Sequence, residues 1–76
     1  MSGTRQSVIR MANDIARNFA VLGDEQAVAM TADHIVQFWD PRMKAIAFGA
    51  LQEPDCGLSA IARAALGQLA DKAANG

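Results

Sequence analysis

Phe38-Trp39-Asp40-Pro41-Arg42-Met43 is the stretch on which the fold of this chain turns. An aspartate in this position accepts bonds from the free N–H groups of a helix's first turn. Proline one residue later supplies the helical φ at the one place where a missing N–H does no harm. One helix therefore ends near Trp39 and another begins at Pro41. The corner between them carries the chain's single tryptophan, a phenylalanine and an arginine. Such groups dominate binding energy when a partner desolvates them, and they equally fill the core of a small bundle. At the level of sequence both roles stay open for Phe38 and Trp39.

Upstream, Val8, Met11, Ala12, Ile15, Phe19 and Leu22 recur at spacings of three and four, with Arg10, Asn13, Asp14 and Arg17 opposite. This spacing predicts an amphipathic helix over 7–22, stopped by Gly23. Asp24 and Glu25 then place negative charge at the positive end of a second helix, predicted over 25–39. That helix has one apolar line through Val28, Ala32, Ile35 and Trp39. A second line through Ala27, His34 and Phe38 stands about 100° away, so the apolar arc is wider than one packing face requires. Two contacts are expected of it, one with the chain's own core and one with another protein.

Downstream of Pro41, a shorter helix carries Met43, Ile46, Ala47, Ala50 and Leu51 inward, with Phe48 on its shoulder. Gly49 inside it costs about 1 kcal/mol relative to alanine, which hints at close packing. Glu53-Pro54-Asp55-Cys56-Gly57 breaks the periodicity and reads as a loop. Ser59, or else Asp55, caps a last helix whose stripe is Leu58, Ile61, Ala62, Ala65, Leu66 and Leu69. The expected fold is all-α: one small, compact bundle of about four short helices, a single domain over 1–76 with an ordered core of about 7–70 and polar termini.

The totals bound what such a chain does. Its 76 residues are 51% hydrophobic, much of that alanine, and 5% aromatic. A domain this small buries only about 60% of its unfolded surface, and its core rarely yields more than ~3–5 kcal/mol. Association with a partner is a natural source of the missing stability. The net charge is −1 with both signs interspersed, which argues against nucleic acid. No run approaches the roughly 18 apolar residues of a membrane span, and no apolar leader follows Met1, so a cytoplasmic location without membrane contact is expected.

Candidate chemistry is sparse. His34 is the one histidine and so the one candidate imidazole base, and no second group at catalytic spacing accompanies it. Cys56 is the one thiol, flanked by Asp55, and ranks as an ordinary loop cysteine ahead of a redox site. Met11, Met30 and Met43 read as packing adaptors. Arg42 is unusual because a cation at a helix start opposes the dipole. It calls for a counter-charge, either Asp40 or a carboxylate on another chain. A helix-turn-helix with the Pro41 helix in a DNA groove is the weaker alternative, since Arg42 and Lys44 make a poor phosphate footprint.

The run from Asp33 to Met43, preceded by Met11-Ala12-Asn13-Asp14-Ile15-Ala16-Arg17-Asn18-Phe19, resembles the small delta subunit of soluble NAD-dependent formate dehydrogenases. Gly57-Leu58 and the alanine-rich segment ending in Ala65-Leu66-Gly67-Gln68-Leu69-Ala70 are similar as well. The family often shows an acidic residue and then proline at the start of its last helix, where this chain has Ser59-Ala60. The resemblance implies a non-catalytic accessory subunit of a cytoplasmic molybdenum- or tungsten-dependent complex that oxidises formate to carbon dioxide and reduces NAD. It implies docking on the large alpha subunit, beside beta and gamma subunits, to support assembly, stability or cofactor retention. The molybdopterin-type cofactor, iron–sulfur clusters and FMN would belong to those other subunits, and none to this chain. One thiol falls short of a cluster, and no glycine-rich turn follows a strand. His34, Phe38, Trp39, Asp40, Pro41 and Arg42 are the expected partner-binding residues. The rival readings are a transient assembly chaperone of the same enzyme and an unrelated helical interaction module.

Overall fold

The Asp40-Pro41 signal is realised as read. In a computed structural model, which describes residues 3–53 and 55–75, helix α2 (Asp24–Phe38) stops one residue before Trp39 and helix α3 (Pro41–Ala50) starts at the proline. Helix α1 (Gly3–Phe19) precedes them and helix α4 (Ala60–Asn75) closes the chain. No strand occurs among the described residues, and the molecule is an all-α bundle. Its radius of gyration is 11.4 Å, the value of about 11.4 Å expected for a close-packed chain of this length.

α1 is longer at its start than the expected 7–22, because Thr4, Arg5 and Gln6 carry no breaker and the Arg5 guanidinium lies 2.9 Å from the Glu53 carboxylate. At its other end the α geometry stops at Phe19 and a single 3₁₀ turn, Ala20–Leu22, follows. Gly23 then takes φ +95°, which other L-residues rarely adopt, and its N–H bonds the Ala20 carbonyl at 3.1 Å. The chain reverses there. α2 returns along α1, and the Gly23 carbonyl accepts the Ala27 N–H at 2.8 Å to open it.

α2 packs most extensively on α4 and α1, while α3 turns away from α2 and packs on α1 and α4. The core lies where α1, α2 and α4 meet. Val8, Ala12, Ala16, Ala32, Ile35, Trp39, Ala47, Ala62, Ala65, Leu66 and Leu69 form one buried cluster. Among the described residues, eight of the thirteen buried apolar side chains are alanines. Alanine adds little area per residue, and its merit is that helix backbones come close around it.

This choice of seam moves the buried face of α1. Met11 and Leu22, expected inside, are 39% and 45% exposed, while Ala16 is buried. The seam runs Val8–Ala12–Ala16, where the side chains are smallest, and the 3₁₀ turn rotates Leu22 off the line an α-helix would have kept. Gly49 also departs from expectation: a Cβ there meets nothing within 4 Å, so no close approach explains it.

The 51–59 connection is held from both sides. Asn13, expected on the solvent face, donates to the Gly57 carbonyl and accepts the Ser59 N–H, each at 2.8 Å. From α4, Arg63 donates to the carbonyls of Leu51 and Glu53 at 3.4 and 3.1 Å and to Cys56 Sγ at 3.1 Å. Ser59 Oγ accepts the Ala62 N–H at 3.2 Å, so the last helix is capped by serine, the first of the two expected candidates. α4 runs to Asn75, past the expected end near 70, because Asp71-Lys72-Ala73 carries no breaker.

Candidate functional site

Four hydrogen bonds build the corner between α2 and α3. Trp39 N–H donates to the Ile35 carbonyl at 3.0 Å and completes the last turn of α2. Asp40 Oδ1 accepts the Met43 N–H at 2.8 Å, and the Asp40 carbonyl accepts the Lys44 N–H at 3.1 Å. Lys44 Nζ reaches back to the Val36 carbonyl at 3.3 Å, which satisfies a free C-terminal carbonyl of α2 and sets positive charge at the negative end of its dipole. Three of these bonds finish α2 or open α3, and the fourth, from the Lys44 side chain to the Val36 carbonyl, ties the two helices to each other. The corner is a fixed angle.

The rings divide between core and surface. Trp39 is 7% exposed and belongs to the buried cluster, so it holds the corner from beneath. Phe38 is 70% exposed, and Phe48 is half-buried against the core. One turn back from Phe38, His34 is half-buried with its ring centroid 4.7 Å from that of Phe38 at an interplanar angle of 39°. The pair covers one flank of the phenyl ring and leaves the rest to solvent. Asp40, Pro41 and Arg42 are exposed. Arg42 makes no ion pair among the described residues, and the Asp40 oxygen nearest the helix start is engaged by Met43.

Met30, His34 and Phe38 share one edge of α2 at four-residue spacing, and Met30 is 38% exposed. The structure thus brings five of the six sequence-predicted residues to the surface or its margin and places the sixth, Trp39, below them. Sequence reasoning missed Met30 as part of this edge, although its spacing from His34 and Phe38 was available. It also missed Val21, 87% exposed on the 3₁₀ turn at the opposite end of α2.

Elsewhere the surface offers little enclosure. A shallow groove of about 410 Å³ runs between α1 and the start of α4, bordered by Ala16, Arg17, Ala20, Asp24 and Ile61. Cys56 is half-buried beneath Arg63. Among the described residues no group of three or more His, Cys, Asp or Glu side chains gathers in metal-binding range. No described helix is long and apolar enough to cross a membrane.

The fold defines a class, the small all-α bundles, and the exposed Phe38 edge is its most distinctive surface. Residues 7–66 match the model of the NADH-dependent formate dehydrogenase delta subunit family, FdsD. The chain belongs to that family, and the match takes in α2, the corner, α3 and the first half of α4. By family it is a subunit of a multi-subunit formate dehydrogenase. No curated protein and no solved structure matches the chain.

Proposed function

We propose that this chain is a non-catalytic delta subunit that docks on the large, cofactor-bearing subunit of a cytoplasmic formate dehydrogenase through the α2–α3 corner. The observation that carries the reading is the contrast between Phe38, 70% exposed, and Trp39, 7% exposed, on a corner whose helix ends are capped and bridged by the Lys44–Val36 bond. An exposed aromatic ring on a rigid support is the kind of anchor that concentrates binding energy. A surface already held in one geometry also loses little entropy on binding.

On this reading formate oxidation, and the molybdopterin-type cofactor, iron–sulfur clusters and FMN it requires, reside in the partner subunits. The donor set of the delta chain does not fit an iron–sulfur cluster: its single cysteine, Cys56, accepts a hydrogen bond from Arg63, and a cluster needs several thiolates. Docking supports assembly, stability or cofactor retention of the large subunit.

Co-expression with the large subunit tests the proposal. Wild-type chain is expected to co-elute with it on size exclusion, to raise its bound metal content, and to remain in the purified active enzyme. Phe38→Ala is expected to reduce co-elution far more than Arg10→Ala. Equal retention of the two variants would move the docking surface elsewhere, and loss of the wild-type chain from the active enzyme would favour a transient chaperone.

A further inference from the structure

Arg42 is a cation whose position nothing in the fold offsets; Arg10, likewise exposed and without an ion pair among the described residues, lies midway along α1, where no helix end acts on it. Arg5 pairs with Glu53, Arg17 with Asp14, Arg63 ties the 51–59 connection, and Lys44 covers a carbonyl of α2. Lys72 lies in the last turn of α4, where a positive charge is favoured by the dipole. Arg42 stands at the second position of α3, where the dipole disfavours it. It is exposed and makes no ion pair among the described residues. Four residues earlier is the exposed Phe38 ring, and a chain segment of that length spans at most about 14 Å, a separation within the width of one interface of ordinary size.

Resting on the docking function proposed above, we infer that the large subunit meets this corner with an apolar socket for the Phe38 ring, rimmed by a carboxylate that pairs with Arg42. The socket is apolar because Phe38 and Met30 lie along one edge of α2, with the His34 ring already against one flank of Phe38. The rim is acidic because a carboxylate at the start of α3 offsets both the guanidinium and the positive end of the helix. The two elements divide the work. The ring supplies most of the affinity, and the ion pair fixes orientation and speeds encounter.

A second copy of this chain suits the corner less well. Its groove between α1 and α4 has apolar walls and the Asp24 carboxylate, but Arg17 lines the same groove and would face Arg42. Such a head-to-tail contact would also build rings or filaments rather than a symmetric pair.

The test is binding of the full-length chain to purified enzyme lacking its delta subunit, across a range of sodium chloride concentrations. Wild-type affinity is expected to fall as salt rises. Arg42→Gln should bind roughly tenfold more weakly at low salt with a flattened salt dependence, Arg42→Lys should recover most of the loss, and Phe38→Ala should bind roughly 100-fold more weakly with the salt dependence retained. Circular dichroism melts of each variant confirm that it is folded. If Phe38→Ala is weak while Arg42→Gln keeps wild-type affinity and salt dependence, the acidic rim is wrong and the docking function stands. If wild-type chain does not bind at all, both fall. Concentration-dependent self-association that Phe38→Ala or Arg42→Gln abolishes would assign the socket to a second copy and overturn the inference.

Discussion

Asn13 and Ser59, 46 positions apart in sequence, are joined by a 2.8 Å bond from the Ser59 N–H to the Asn13 side-chain oxygen. The same side chain donates to the Gly57 carbonyl at 2.8 Å, so one residue of α1 fixes the chain on both sides of Leu58. Gly57 makes the arrangement possible with φ +99°, and Ser59 then caps α4. The docking of α1 on α4 and the start of α4 are thus one cooperative unit.

Asn13→Ala removes both bonds at once. At about 1 kcal/mol for each neutral bond the expected loss is about 2 kcal/mol, a large share of what a core this size supplies. Thermal unfolding followed by circular dichroism should shift down by roughly 4–8 °C for each kcal/mol lost. Asn13→Asp keeps the acceptor for Ser59 and should fall between the two. An unchanged melt would show that the connection is held by Arg63 alone.

Phe38 and Trp39 should separate stability from docking. Trp39→Ala empties a core position and is expected to cost about 3–5 kcal/mol, enough to unfold the isolated chain. Phe38→Ala should leave stability within about 0.5 kcal/mol of wild type. The single tryptophan also reports directly: its emission should be blue-shifted, poorly quenched by iodide, and unaltered by Phe38→Ala. Strong iodide quenching in the folded chain would place Trp39 at the surface.

The cap of α3 is a second lever on the corner. Asp40→Ala leaves the Met43 N–H without its partner and should cost about 1 kcal/mol, with Asp40→Asn recovering most of it. Pro41→Gly should loosen the corner at modest cost in stability yet weaken binding to the large subunit clearly. Urea titrations beside co-elution measurements distinguish the two effects. Unweakened binding of a destabilised Pro41→Gly chain would show that the fixed angle is dispensable.

Gly49 and Gly23 should respond to alanine with opposite signs. Gly49 lies inside α3 with open space at its Cβ position, so Gly49→Ala should stabilise by about 1 kcal/mol. Gly23 holds φ +95°, and Gly23→Ala should destabilise by at least about 1 kcal/mol even though nothing stands within 4 Å. Denaturant midpoints measured on the two single variants check both. Destabilisation by Gly49→Ala would mean that the α3 surface is covered in solution.

Elements whose causes are local were legible in the sequence. Asp40 and Pro41 set the corner, Gly23 the reversal, and Ser59 the last cap, each through atoms within three or four residues. Asn13 was not legible, because its partners Gly57 and Ser59 lie across the fold. The buried seam of α1 was misjudged for a related reason. Met11 outranks Ala16 in hydrophobicity, but closeness of approach to α2 and α4 decided which was buried, and that is a property of three helices together. Phe38 and Trp39 are adjacent in the chain, about 100° apart around a helix axis, and only the packing of Trp39 against its neighbours determined which ring stayed outside.

The alanine seam bears on the life of the chain before it finds its seat. Eight methyl-sized side chains add little buried area, so a small reserve of free energy and frequent transient opening are expected of the isolated chain. Copies made in excess of the enzyme are therefore expected to be cleared first by cellular proteases, and the amount of delta chain should follow the amount of large subunit without separate control. Pulse-chase labelling in cells lacking the large subunit would record this as a shortened half-life, which Gly49→Ala should lengthen.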